Sequence, residues 1–277
     1  MNERIAFIGA GNMATALAGG LLRAGRPATS LVAADPIGEQ RERIARMGVT
    51  TTAENAVAVA GADVVVLAVK PQVFGTVVTD LRPHFEPGQL IVSIAAGVST
   101  SAIAAWCGHP LPIVRCMPNT PALYGAGISA LFANEHAGAR ERSLAEGVLR
   151  AAGDVVWVGD ESHLDAVTAV SGSGPAYFFY LMEGMIEAAE RLGLDDGLAR
   201  RLTLATAYGA AVMARDSGEA PAQLRRNVTS PGGTTERAIG VLDEAHVRAT
   251  IDLAIRSAAT RSRELAAEFG ALPDVRA

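Results

Sequence analysis

Two kinds of hydrophobic spacing divide this chain. From Arg4 to about Val158, short β-branched runs alternate with Ala- and Leu-rich segments of helical period, the pattern of a parallel sheet with crossover helices. The expected strands are RIAFI (4–8), SLVAA (30–34), DVVVLAV (63–69), LIVSIA (90–95), PIVRCM (112–117) and DVVWV (154–158). Runs without polar alternation, such as Val64 to Val69, belong to central strands buried on both faces. After Asp160 the strand pattern stops, and Leu164 to Phe269 reads as helices. One stripe runs through Phe178, Leu181, Met185, Ala189 and Leu192 and is closed by Gly193. Leu198, Leu202, Ala205, Val212 and Met213 mark a second helix that stops near Gly218. Pro221 opens a short helix, and Val247, Ile251, Ala254, Ala258 and Leu265 belong to the last. An apolar stripe is usually core, but this much apolar helix in one segment also suggests an interface between copies of the chain.

The first strand runs directly into Gly9-Ala10-Gly11-Asn12-Met13-Ala14, followed by a helical face of Met13, Leu17 and Leu21. This is G-x-G-x-x-A between a strand and a helix, the context in which that spacing binds a dinucleotide. Gly9 allows the turn, Gly11 lets a pyrophosphate approach the backbone, and Ala14 permits close packing of helix on sheet. Free amides at the helix N-terminus hold the anion. Asp35 closes the second strand about 20 residues further on, where an acidic side chain accepts from the adenosine ribose and favours NADH. A plain turn at Asp35-Pro36 is the alternative, and Arg41 and Arg43 are near enough to blur the preference. The expected fold class is therefore α/β, an N-terminal Rossmann-type doubly wound sheet followed by an all-α dimerisation domain. The expected boundaries are 1–160 for the NAD(P)-binding part and 161–277 for the helical substrate-binding and oligomerisation part.

Composition narrows the function. At 277 residues the chain is long enough for two units with a sizeable core. A net charge of -5, carried on the positive side almost wholly by Arg, offers no basic run for nucleic acid. The two cysteines, Cys107 and Cys116, fall in different expected elements, and a disulfide framework is not expected. A reducing cytoplasm fits best. Gly9, Gly11, Gly19 and Gly20 interrupt the apolar N-terminal stretch, which reads as folded protein rather than a signal peptide. No other apolar run approaches the ~18 residues that span a bilayer.

Further loops fall on one sheet edge. Pro71 suits the first position of a helix, which leaves Lys70, the only lysine of the chain, at the carboxyl edge where such sheets bind ligands. It is either a ligand contact or a solvated side chain. SIAAG (93–97) and MPNTP (117–121) widen the same edge. In the helical half, SGSGPAY (171–177) interrupts what would be one long helix and implies a kink. SPGGTT (230–235) is the second interruption. Thr234 or Thr235 would cap the next helix while Gly232 and Gly233 present amides ahead of its positive end, a site suited to a carboxylate or an ordinary cap without ligand. The helical half carries no lysine, and His84, His109, His136, His163 and His246 all sit in polar or loop-like surroundings. Cys and His show no metal spacing. A reaction that needs little acid-base help fits this inventory.

With FIGAGNMA, AVKP, SIAAG, MPNTP, SGSGPAY and SPGGTT in this order, the chain resembles the pyrroline-5-carboxylate reductases over nearly its whole length. The resemblance implies hydride transfer from NADPH or NADH to the C=N carbon of 1-pyrroline-5-carboxylate, giving proline, the last step of its synthesis. It implies that Gly9, Ala10, Gly11, Asn12, Met13, Asp35, Asn55, Val69, Lys70, Ala96 and Asn227 line the cofactor. Substrate carboxylate would meet Gly232, Gly233 and Thr234, with the Thr235 hydroxyl near the ring nitrogen and Glu161 close by. It also implies a homodimer, and a ring of dimers. The family commonly carries a small polar residue or Asn at the place of Asp35, so this position departs from its pattern. A β-hydroxyacid dehydrogenase shares the two-part plan but carries a catalytic lysine on its interdomain helix, absent from SGSGPAYFFYLMEG. A dinucleotide-sensing regulator would have no reason for a carboxylate loop at SPGGTT.

Overall fold

A computed structural model of the chain describes residues 3–269. It separates into two compact units: the chain up to Ser173 with the stretch from Ala258 onward, and Gly174–Ser257.

The first unit is built on eight strands: β1 (Ile5–Ile8), β2 (Leu31–Ala34), β3 (Thr50–Thr52), β4 (Val64–Leu67), β5 (Leu90–Ser93), β6 (Ile113–Met117), β7 (Gly127–Ala133) and β8 (Gly153–Trp157). They form one sheet in the order β3-β2-β1-β4-β5-β6-β7-β8. The order reverses between β1 and β4, whose register pairs Ile5 with Val64 and Ile8 with Leu67. The six expected strands are all present. Two others were not legible, and one corrects the expectation of a wholly parallel sheet, because β7 runs antiparallel to β6. β3 is three threonines at the sheet edge, too short and too polar for a periodicity. β7, GISALFA, mixes Gly, Ser and Ala into its alternation, so its propensity is weak and its pairing with β6 and β8 makes it a strand.

Helices cover both faces. α1 (Asn12–Arg23) and α6 (Ala139–Arg150) lie on one, joined to Ile5, Phe7, Val64 and Val66 in a single buried cluster. α3 (Asn55–Val59), α4 (Pro71–Leu81) and α5 (Thr100–Cys107) lie on the other, with Ala6, Ile8, Val65 and Leu67. Alternate residues of β1 and β4 thus serve opposite cores, which is why those runs show no polar alternation. α2 (Gly38–Ala45) follows β2. Phe74 of α4 meets Trp106 of α5 with ring centroids 6.0 Å apart. The unit closes with α7 (His163–Val167), and the end of the last helix returns to it, where Ser262 donates to Asp165 at 2.7 Å.

SGSGPAY does interrupt a helix. α7 passes into a π-helical turn, Thr168–Gly172, marked by Ser173 N–H donating back to the Thr168 carbonyl at 2.8 Å, before α8 (Gly174–Arg191) begins. α8 and α9 (Asp196–Asp216) pack against each other in the second unit. α10 (Pro221–Asn227), α11 (Thr234–Glu244) and the start of α12 (Val247–Phe269) complete it. The apolar stripe of α8 lies where the periodicity puts it but faces outward, with Phe178 65% and Leu181 59% exposed. Within the second unit only Gly174, Ala199 and Thr203 are buried. No helix among the described residues is long and apolar enough to cross a membrane.

Candidate active site

Five consecutive strand ends of the first unit carry the expected cofactor residues. Gly9 follows β1, Asp35 follows β2, Asn55 opens α3 just after β3, Val69 and Lys70 follow β4, and Ala96 follows β5. All lie at the carboxyl edge, and the reversal of strand order between β1 and β4 sets the crevice there. Gly9 has φ +98°, and a Cβ on it would lie 2.6 Å from the Ala68 carbonyl oxygen, so the turn admits no side chain. Its N–H donates to Ala34 at 2.7 Å, which stitches the loop to β2.

Gly11 is the N-cap of α1 and brings no side chain to it, and open space surrounds the place of its absent Cβ. Among the described residues the amides of Asn12, Met13 and Ala14 have no acceptor. A row of free donors at the positive end of a helix, with bare backbone in front, fits a dinucleotide pyrophosphate. Ala14 is fully buried against the sheet. Pro71 is the first residue of α4 and Lys70 its N-cap, with the Lys70 side chain exposed.

Asp35 is 9% exposed, and both its carboxylate oxygens accept backbone amides. Ala10 N–H donates to Oδ2 at 2.8 Å and Ile37 N–H to Oδ1 at 2.9 Å. The side chain therefore holds the glycine loop and the turn after β2 in one piece.

Glu161 sits in the first unit at a junction of three segments. Its Oε1 accepts from Thr100 N–H at 2.8 Å and from the Arg115 guanidinium at 3.1 Å, and its Oε2 accepts from the Thr100 hydroxyl at 2.8 Å. It thereby satisfies an orphan donor in the first turn of α5 and neutralises an Arg buried in β6, whose side chain is 8% exposed. Arg115 was missed in the sequence, where its signal was a lone charge inside the apolar run PIVRCM. Asn119 of MPNTP is equally committed. It accepts from Ile128 N–H at 3.0 Å and donates to the Ser171 carbonyl at 3.2 Å, joining β6, β7 and the π-helical turn.

Asn227 and the SPGGTT loop belong to the second unit. Asn227 ends α10, where its amide donates to Glu219 at 2.9 Å and its oxygen accepts from Gln223 at 2.6 Å. The loop departs from the expected cap. Gly233 is the N-cap of α11 and neither threonine caps it; Thr234 and Thr235 are its first two helical residues. Gly232 has φ +71°, a left-handed turn that glycine allows, and Gly233 N–H donates to the Ser230 carbonyl at 3.1 Å. The Gly232 N–H is taken by the Glu236 carboxylate at 2.7 Å, a contact signalled only by the acid three residues past the cap. Among the described residues, the amides of Thr234 and Thr235 and the Thr235 hydroxyl have no partner. The loop thus presents two amides and a hydroxyl at the positive end of an eleven-residue helix.

Residues 161–265 match the family model for pyrroline-5-carboxylate reductase dimerisation, and residues 4–97 match that for NADP oxidoreductase, coenzyme F420-dependent. The pyrroline-5-carboxylate reductase of Pseudomonas aeruginosa is 53% identical over 96% of this chain and 98% of that protein. The solved pyrroline-5-carboxylate reductase of Coxiella burnetii superposes with a TM-score of 0.91 at 42% identity, covering 96% of this chain and 99% of that one. That of Plasmodium falciparum, solved with NADP bound, gives 0.87 at 28% identity over 96% and 98%.

Proposed function

The chain belongs to the pyrroline-5-carboxylate reductase family, and from that membership we propose which of its residues carry the reaction. The protein is an NAD(P)H-dependent reductase that converts 1-pyrroline-5-carboxylate to proline. When bound, the reduced nicotinamide supplies a hydride to the C=N carbon.

In this reading Gly9 to Met13, Asn55, Val69, Lys70 and Ala96 hold the cofactor on the first unit, and Asp35 braces the glycine loop behind them through its bonds to Ala10 and Ile37. Thr234 and Thr235 offer their amides to the substrate carboxylate, and Gly232 and Gly233, whose own N–H groups are taken by Glu236 and Ser230 against the expectation from the sequence, form the bare turn in front of them. The observation that carries the assignment is the pair of unpartnered amides at Thr234 and Thr235 behind a glycine turn, with the Thr235 hydroxyl unpaired beside them. An anion held by those amides leaves the hydroxyl as the adjacent polar group for the ring nitrogen. A protonated imine is already electrophilic, so the residues need only fix its orientation and keep one proton on nitrogen. Orientation of that kind supplies roughly 7–11 kcal/mol of a barrier in well-held reactants. The absence of lysine from 161–277 suits such a mechanism.

Glu161 acts in this reading at one remove. Its carboxylate is committed to Thr100 and Arg115, and it fixes the start of α5 within the first unit. The assembly is a homodimer formed through the second unit, extended by the family resemblance to a ring of dimers, in a reducing cytoplasm that suits two free thiols. Thr235→Ala tests the core of the proposal. Turnover of the imine should fall by ~10²-fold, as loss of a positioned proton-transfer group does, while NADPH binding followed by fluorescence stays unchanged. Near-normal turnover would remove Thr235 from the mechanism.

A further inference from the structure

We propose that Arg43, supported by Arg41, reads the adenosine 2′-phosphate and makes NADPH the preferred cofactor in spite of the acidic residue at the end of β2. The argument begins with Asp35. An aspartate favours NADH when its carboxylate is free to take the ribose hydroxyls. Here both oxygens already accept amides, from Ala10 and Ile37, and the residue is 9% exposed.

Two guanidinium groups bond to the backbone around that residue and to the glycine loop. Arg41 donates to the Asp35 main-chain carbonyl at 2.6 Å. Arg43 reaches from α2 to the glycine loop, donating to Asn12 Oδ1 at 2.8 Å, to the Ala10 carbonyl at 3.0 Å and to Gln40 Oε1 at 2.6 Å. Every acceptor is neutral, and among the described residues neither guanidinium has a carboxylate within ion-pair distance. The Arg43 Nε is buried with no hydrogen-bond partner at all. A cation with one orphaned donor and no counter-charge is under-satisfied, and an anionic acceptor at its half-buried guanidinium end offsets that cost.

Charge counting gives the same direction. Arg41 and Arg43 contribute two positive charges against the one negative charge of Asp35, while Glu39 and Glu42 of the same helix are exposed. The ribose of a dinucleotide laid across Gly9 to Met13 comes to the end of β2, which brings its 2′ position to these two arginines. A dianionic phosphate there exchanges neutral acceptors for charge-assisted, fork-matched ones.

The inference rests on the reading that the glycine loop holds the cofactor, and the experiment separates the two. Calorimetric dissociation constants for 2′,5′-ADP and 5′-AMP, which carry the adenosine end alone, are measured on the wild type, Arg43→Ala and Arg43→Lys. The wild type should bind 2′,5′-ADP about tenfold or more tighter than 5′-AMP, the effect of a hydrogen-bonded charge. Arg43→Ala should bring that ratio close to one without changing 5′-AMP, and Arg43→Lys should fall between. The ratio of kcat/KM for NADPH over NADH should follow the same order. Equal wild-type affinities, or a ratio untouched by Arg43→Ala, would overturn the proposal while leaving the cofactor loop in place. Equal loss of both ligands in Arg43→Ala would make Arg43 a brace of the loop and overturn it as well. A wild type that bound neither ligand would overturn the loop reading itself.

Discussion

Individual residues in this protein often work by holding backbone rather than by meeting ligand. Asp35 is the plainest case, since its place in the sequence points to a ribose and its oxygens in the structure point to amides. Cys107 and Cys116 show how burial alone changes chemistry at this scale. Both are free and buried, and desolvation pushes the Cys107 thiol up from 9.0 to about 12. Cys116 is pushed up by the same cause, opposed only weakly by the charge of Arg115. The thiolate is the reactive form, so neither should react with a disulfide reagent at pH 8 until the protein unfolds. Stoichiometric labelling of the native protein would contradict that. The linked effect on stability has a definite sign. Between the ordinary thiol value and about 12 the unfolded chain loses the Cys107 proton and the folded chain keeps it, so stability falls as pH rises through that window. Denaturant titrations from pH 8.5 to 10.5 should show the decline, steepening toward about 1.4 kcal/mol per pH unit for each such thiol.

Secondary elements are joined by a few polar clasps that periodicity does not reveal. Glu161 connects the approach to α7 with the first turn of α5 and with β6, across 61 and 46 residues of sequence. A single glutamate in GDESH carries no sign of those partners, and Arg115 stands out only as a charge among apolar neighbours. The same clasp steadies the loop from β5 to α5, which carries Ala96. Glu161→Ala leaves Arg115 buried without its counter-charge and should cost about 3 kcal/mol or more in urea denaturation. Arg115→Met in the same background should recover part of that loss, because the uncompensated charge is gone. No recovery would show that the cost came from Thr100 alone. Element boundaries were otherwise well marked by local chemistry. Pro71 starts α4 and Pro221 starts α10 as the sequence indicates. Thr234 and Thr235 misled as caps because the residue before them, Gly233, already has the extended backbone of an N-cap.

At the scale of the whole molecule, the second unit is made for company. Phe178, Leu181, Leu192 and Tyr208 expose 59% or more of their surface, far beyond what an isolated helical unit leaves to water. The match of 161–265 to a dimerisation model explains why so much apolar surface has been left uncovered. Leu181→Asp places a charge on that face and should shift the sedimentation profile from oligomer to monomer, with loss of thermal stability that depends on protein concentration in the wild type only. A variant that sediments like the wild type would take α8 out of the interface. Intermediate dimers in a milder variant, Leu181→Ala, would indicate that pairs assemble before any ring.

The alternation of six strands with helices, the helical second half and the glycine loop after the first strand were determined by the sequence itself, because they depend on local spacing: periods of two and 3.6, a positive φ, a missing N–H. The edge strand β3, the antiparallel β7, the clasp at Glu161 and the occupation of Asp35 were decided by the tertiary structure. Each depends on a partner far away in the chain, and hydrogen-bond satisfaction inside a folded core is a property of the pair, which no single position in the sequence displays.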